Sequence, residues 1–393
     1  MMVDQLIENA RDLYADGQAK KALQTLEEAL QQMPNHGESW YWKGLFLSGE
    51  KQHGRALEAF NHAIEADPAN SSYFEMRGVC FCQLDRFEEG LEDFERAISL
   101  NPASAEVHYL KGCSLEDLKR WEEALEAYDQ AIVFDPLHYR AYFQRGLVHE
   151  KVGNYSAALA DFDFALPKAE SLHDYNFHKA FTLYQLGRAA EALLLMHADV
   201  EENPTFGTSY ALRAKIRLAL GDDEAAMTDI DHAIAIDPES AGYVVTKGFI
   251  YHEMEFLEEA KEAYMAALEL DPNYELTYTN LSSLLEDFGQ YEAARDACLD
   301  AIRINPTSAV AYNNLGSALL YLKDFRGAKP ALEKAIELLP TYIAPHYNLG
   351  NLYRFTGKWD LALAAYEEVL KLDPADGDAI YQRDRMLEKL KKD

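Results

Sequence analysis

Ten prolines stand on a single lattice of 34 residues: Pro34, Pro68, Pro102, Pro136, Pro204, Pro238, Pro272, Pro306, Pro340 and Pro374. Only position 170 is vacant, held by Glu170 with Pro167 close by. Proline cannot continue a helix and keeps the residue before it out of the α region. Eight of the ten follow Asp or Asn, as in "EADPAN" and "ELDPNY". Each lattice point therefore ends a helix and opens a connection. A fixed period of this length restricts the chain to a repetitive fold.

With the proline at position 32 of each unit, eleven units run from Val3 to Asp376 and residues 377–393 follow them. Position 8 is always small: Gly44, Gly78, Gly112, Gly146, Gly248, Gly316 and Gly350, with Ala10, Ala180, Ala214 and Ser282 elsewhere. Position 20 is alanine in ten units, Gly90 being the exception, and position 27 is alanine in nine. Position 24 supplies bulk, including Phe60, Phe94, Tyr128, Phe162, Tyr264 and Tyr366. Between the halves sit Gly17, Gly153, Gly187, Gly221, Gly289 and Gly357, suited to a left-handed helix end. Each unit reads as helix A, short turn, helix B. "WYWKGLFL" and "YNNLGSALLYLKDFRGAKPALEKAIELLP" carry a pattern that resembles the tetratricopeptide repeat, and the resemblance covers residues 3–376. It implies an all-α fold: a right-handed α-solenoid superhelix of antiparallel helix pairs, with helices A lining a concave groove and the ends capped by polar surface.

The expected organisation is units 1–5 over 3–172, a degenerate unit 6 over 173–206, units 7–11 over 207–376, and a capping helix over 377–393. Pro167 predicts an early stop for helix B of unit 5. In unit 6, Ala189 replaces an aromatic and Asp199 takes a small-residue position, where a buried carboxylate needs a partner. An irregular junction is expected around 165–206, and a kink at Pro330. In the tail, Ile380, Met386, Leu387 and Leu390 are expected to face the last unit.

Position 7 is cationic through seven units: Lys43, Arg77, Lys111, Arg145, Lys179, Arg213 and Lys247. Every arginine unit has an aspartate at position 23, and no lysine unit does. Arg77 with Asp93, Arg145 with Asp161 and Arg213 with Asp229 are therefore expected to form structural ion pairs between helices A and B. The lysines are expected to lay their stems on apolar surface and send their heads to water.

Positions 2, 5, 6, 9, 12 and 13 of helix A lie away from helix B. Asn280, Asn314 and Asn348 share position 6, and Asn313 and Asn351 add amides beside them. An amide offers a donor and an acceptor and can satisfy a peptide unit without reading its side chain. The arrangement resembles the asparagine ladder in the repeat domain of O-linked N-acetylglucosamine transferase, with three rungs here. Nearer the N-terminus the same face carries Tyr41, Trp42, Tyr109, Leu110, Phe143, Phe177 and Phe181, an apolar surface suited either to a peptide or to burial between neighbouring helices. Acids border it: Glu75, Glu106, Glu116, Asp117, Glu150 and Asp174. A protein or peptide with basic and apolar residues would match, and self-association remains open. Chaperone-binding repeats hold a C-terminal carboxylate with lysines, asparagines and an arginine on three helices A. Here Ala344 and Asn348, or Glu106 and Leu110, occupy the cationic positions, so that clamp is absent.

The formal charge of −30 disfavours nucleic acid as a partner. No run of about 18 apolar residues spans a membrane. The opening "MMVDQLIENARDLYADG" lacks an apolar leader, and four scattered cysteines fit a reducing cytoplasm. No phosphate loop, nucleophile elbow or H-E-x-x-H occurs. Cys80, Cys82 and Cys113 read as packing residues, and Asp174 with His178 lack a third ligand, so neither metal nor cofactor is expected. The expected role is a non-enzymatic adaptor or scaffold holding a partner segment in its groove. The alternative is an assembly chaperone or regulatory subunit that shields a hydrophobic segment.

Overall fold

A computed structural model describes residues 2–165 and 172–391. Two compact units divide between Tyr175 and Asn176. The first holds five helix pairs. These are α1 (Val3–Ala15) with α2 (Ala19–Gln32), α3 (Gly37–Gly49) with α4 (His53–Ala66), and α5 (Ser71–Cys82) with α6 (Phe87–Leu100). Next come α7 (Ala105–Asp117) with α8 (Trp121–Phe134), and α9 (Tyr139–Lys151) with α10 (Tyr155–Ala165).

The unit boundary falls within α11 (Leu172–Gln185), which precedes α12 (Ala189–Glu202). The pairs of the second unit continue with α13 (Gly207–Ala219) and α14 (Asp223–Ile236), then α15 (Ala241–Glu253) and α16 (Leu257–Leu270). After them come α17 (Glu275–Asp287) with α18 (Tyr291–Ile304), α19 (Ala309–Tyr321) with α20 (Phe325–Leu338), and α21 (Ile343–Phe355) with α22 (Trp359–Leu372). A last helix, α23 (Gly377–Leu390), packs on α22. The described residues are all-α.

The lattice sequence builds its own connection. In Asp67, Asp135, Asp237, Asp271, Asn305 and Asp373 the side-chain oxygen accepts from the backbone N–H two residues on, across the proline. Three residues after that Asx, a side chain caps the next helix A, as Ser104, Ser308 and Asp376 do. Position 4 then ties back: Trp40 Nε1 donates to Pro34 O at 2.7 Å and Tyr278 Oη to Pro272 O at 3.1 Å. His108 and His346 reach Pro102 O and Pro340 O through Nε2, which places the proton on that nitrogen.

The turn between helices has a left-handed residue at the same phase in every unit. Six units use the glycines already named; Lys51, Asp85, Lys119, Glu255 and Lys323 take it in the other five, with φ near 60°. The core is equally periodic. A Cβ on Gly112 would stand 2.5 Å from the Tyr128 ring, and one on Gly44 2.6 Å from Phe60. The small position 8 is therefore the floor on which the position-24 side chain of the same unit rests. All ten position-20 alanines are fully buried.

The three arginine pairs form as expected from the sequence. Arg145 donates to Asp161 through Nε at 2.9 Å and Nη2 at 2.6 Å, and Arg213 to Asp229 at 2.9 and 2.7 Å. The lysines depart from expectation. Their heads reach an acid on helix B of the preceding unit: Lys43 to Glu27 at 3.3 Å, Lys111 to Glu95 at 3.1 Å, and Lys247 to Asp231 at 2.8 Å. Stacking brings position 25 of one unit under position 7 of the next, within the reach of a four-carbon stem. These acids are exposed, so the lysine pairs hold the stack only weakly.

The expected early stop at Pro167 lies outside the described residues. Within them, α11 and α12 are both helical, and Asp199 gains the partner its burial requires: Ser209 Oγ donates to it at 2.5 Å. Helix α20 runs unbroken through Pro330. In α23, Ala379 and Met386 are buried, while Leu387 is exposed, contrary to expectation.

Candidate functional site

Within each unit, successive helices A pack on one another (α3 on α5, α5 on α7, α17 on α19, α19 on α21). Among the described residues helices B lack comparable mutual packing, so each unit curves with helices A inside. The inner face is the candidate site. Tyr41, Trp42, Tyr109 and Phe143 belong to the first unit; Phe177, Phe181 and all five asparagines belong to the second.

The amides are engaged with the protein itself. Asn314 Nδ2 faces Thr279 O at 3.2 Å and the hydroxyls of Ser282 and Ser283 at 3.1 and 3.2 Å on α17. Asn348 Nδ2 donates to Asn313 Oδ1 at 3.0 Å, and Asn313 Nδ2 donates to Asn314 Oδ1 at 3.2 Å. Asn351 Oδ1 accepts from Tyr366 Oη at 2.9 Å and Arg354 Nη2 at 3.2 Å. Four of the expected amides thus bond within the protein: Asn314 and Asn348, at position 6, reach the preceding helix A, Asn313 links them, and Asn351 meets Tyr366 and Arg354 of its own repeat. Asn280 alone of the three position-6 amides makes no such bond.

The position-5 rings are half-buried and double as packing. Tyr41 lies 6.1 Å from Phe60 and 5.2 Å from Tyr73. Tyr109 lies 6.0 Å from Tyr128, and Phe143 lies 5.7 Å from Phe162 and 5.0 Å from Tyr175. Trp42 is covered on one face by the Arg11 guanidinium at 4.5 Å. Phe177 and Phe181 are also half-buried.

The acids separate into two kinds. Glu106 is held by His138 at 3.3 Å and Arg140 at 2.9 Å, and the His138 hydrogen bond leads in keeping its carboxyl below the usual range. Glu116 accepts from Tyr128 Oη at 3.1 Å and Lys151 Nζ at 3.3 Å. Neither is a free rim charge. Glu75 is different: half-buried, it meets no cation and no donor among the described residues, and desolvation, then Glu106, raises its carboxyl. It stands near enough to Tyr41 to add to the burial that raises that phenol. Asp117 is exposed, raised by desolvation and by Asp85. Glu150 is half-buried and Asp174 exposed.

Three inner-face charges escaped the sequence reading. Lys215, at position 9 of α13, is half-buried without an acid, and desolvation lowers its pKa. Its signal was a cation inside the array at a phase that holds Leu, Val, Cys or Phe in six other units and a cation elsewhere only at Arg11 in the first. Glu286, at position 12 of α17, accepts from Ser317 at 2.8 Å through Oε2, while its buried Oε1 has no partner; burial pushes it up to about 7. Arg354, at position 12 of α21, is half-buried beside Asn351.

Among the described residues, no three His, Cys, Asp or Glu side chains are grouped to hold a metal ion. No described helix is long and apolar enough to cross a membrane.

Family models described as tetratricopeptide repeat match residues 13–79, 76–138, 110–177, 207–240, 241–274, 263–296 and 307–375. No curated protein matches the sequence. The crystal structure of yeast Tom70 is similar to the chain at 13% identity and a TM-score of 0.57, over 99% of this chain and 96% of that one. The Cut9–Hcn1 hetero-tetramer of the APC/C is similar at 15% identity and a TM-score of 0.49, over 98% and 96%. At these identities the likeness concerns the fold. With models of one repeat type tiling most of its length, the chain belongs to the tetratricopeptide repeat family, an all-α helical-repeat solenoid that serves as a scaffold for protein–protein interaction.

Proposed function

We propose that this chain is a non-enzymatic, cytoplasmic adaptor whose inner helix-A faces hold extended or helical segments of partner proteins. On the first unit the preferred segment carries basic and apolar side chains. Glu75 carries this reading. A half-buried carboxylate with no partner is costly, and a lysine or arginine from outside would relieve that cost while the neighbouring Tyr41 and Tyr109 rings receive apolar groups. The surrounding acids, including exposed Asp117, add long-range attraction for a basic segment.

The test begins with affinity capture by the full chain, followed by overlapping synthetic peptides of the captured partner. The bound peptide should contain Lys or Arg beside apolar residues. Its affinity should fall with added salt, and Glu75→Gln should weaken it by about tenfold, the scale of one charge-assisted contact. Binding indifferent to both salt and Glu75→Gln would reject the reading, and turnover of a substrate by the isolated chain would reject the adaptor role.

A further inference from the structure

Seven arginines of this chain are half-buried, and six of them are ion-paired: Arg77, Arg145, Arg213, Arg217, Arg295 and Arg383. Arg354 is the seventh and meets no carboxylate among the described residues. Its Nη2 donates to the neutral Asn351 Oδ1 at 3.2 Å, and its Nε is buried without an acceptor. The guanidinium carbon stands 4.5 Å from the Phe355 ring, which is itself 54% exposed. The guanidinium also meets the Tyr366 hydroxyl but is paired with no charge among the described residues, and a guanidinium fork beside an exposed aromatic ring suits a planar anion.

Gln382, on α23, has a buried Oε1 with no partner, an acceptor that offers nothing to an anion, and its side chain meets Tyr347, two turns before Arg354 on α21. Asp376 and Asp378 lie near Tyr347; Asp376 is engaged in capping α23 through Ala379 N at 2.8 Å, and Asp378 is exposed. The charge of the chain is unevenly distributed. Residues 1–308 hold 55 acids and 25 bases, whereas residues 309–393 hold twelve of each. An acidic segment is repelled by the former and not by the latter.

We propose that the inner face of the last repeat, around Arg354 and Phe355, receives an acidic side chain of a partner polypeptide. The guanidinium fork takes the two oxygens and the exposed Phe355 ring receives the adjoining apolar group. This rests on the polypeptide-binding reading above but on a separate face, one that selects the opposite charge.

Affinity selection from a pool of random synthetic dodecapeptides, read by mass spectrometry, tests it on the full chain. Four proteins are compared: wild type, Arg354→Gln, Arg354→Lys and Phe355→Ala. A second pool with amidated C-termini separates side-chain carboxylates from terminal ones. Wild type should enrich peptides bearing Asp or Glu from both pools, and enrichment from the free-terminus pool alone overturns the proposal. Arg354→Gln should bind those peptides at least about tenfold more weakly, with Arg354→Lys and Phe355→Ala between, since each keeps half of the device. Phe355 is exposed, so its variant folds even where the Arg354 variants do not. Capture of basic peptides alone, or equal acid content among peptides held by wild type and by the Phe355 and Arg354 variants, overturns the proposal. Capture of no peptide at all overturns the polypeptide-binding reading with it.

Discussion

Arg77 holds Asp93 through Nε and Nη2, both at 2.7 Å, and sends Nη1 back to Asn61 of the preceding repeat at 2.7 Å. One guanidinium thus joins both helices of its own repeat to the helix B behind it. Asp93 is almost fully buried.

Removing the arginine alone strands that carboxylate. Arg77→Leu should destabilise the first unit by about 3–5 kcal/mol, and Asp93→Ala on the same background should recover part of the loss. Denaturant unfolding of the four proteins of the cycle measures the coupling. Additive losses would show that the pair is not coupled. The lysine pair Lys111–Glu95, with its exposed carboxylate, should couple by about 0–1 kcal/mol in the same experiment.

Gly112→Ala should cost about 1–3 kcal/mol, since the new methyl would meet the Tyr128 ring at 2.5 Å. Gly54 also lies in a helix, but a Cβ there meets nothing within 4 Å. Gly54→Ala should therefore stabilise, by up to about 1 kcal/mol, through helix propensity. Thermal unfolding of the two variants compares the effects, and equal shifts would contradict the packing described for position 8.

Asn314→Ala should weaken the α17–α19 contact by about 1–2 kcal/mol, because its Nδ2 faces three acceptors on α17. Asn280→Ala should leave stability within about 0.5 kcal/mol. Hydrogen exchange across residues 275–321 reads both. Equal protection in the two variants would show that the relay between helices contributes nothing.

Much of this was legible in the sequence because the repeat signals are local. The Asx–Pro pair builds its own turn, and a glycine at position 8 announces a large side chain sixteen residues on, a ring in every case but Leu332. The bidentate pairs were legible too, since Arg and Asp covary within one repeat. Contacts between repeats were not. Lys111 meets Glu95, and Asn314 meets Ser282, only once stacking fixes the offset of one repeat on the next. The same limit applies to the site. Its phase on helix A could be read from the sequence, but which charges remain unpaired there could not. Glu75 stands at position 5 and Glu106 at position 2, but only the structure shows that Glu106 is held by Arg140 and His138 of the following repeat while Glu75 is not.

Glu286 links stability to pH. Burial raises its carboxyl to about 7, with the Ser317 hydrogen bond opposing and Asp287 adding, against an ordinary 4.5 for the unfolded chain. The folded state therefore binds this proton more tightly, and the stability it contributes is complete below about pH 4.5 and lost as pH rises through 7. Glu286→Gln keeps an acceptor for Ser317 and has no proton to lose. Its stability should match wild type near pH 4.5 and exceed it at pH 8, by roughly 3 kcal/mol at most. Hydrogen exchange of α17 and α19 at several pH values measures the difference locally, which suits an array whose repeats need not unfold together. A difference that stays constant with pH would show that Glu286 ionises as freely in the fold as in the unfolded chain.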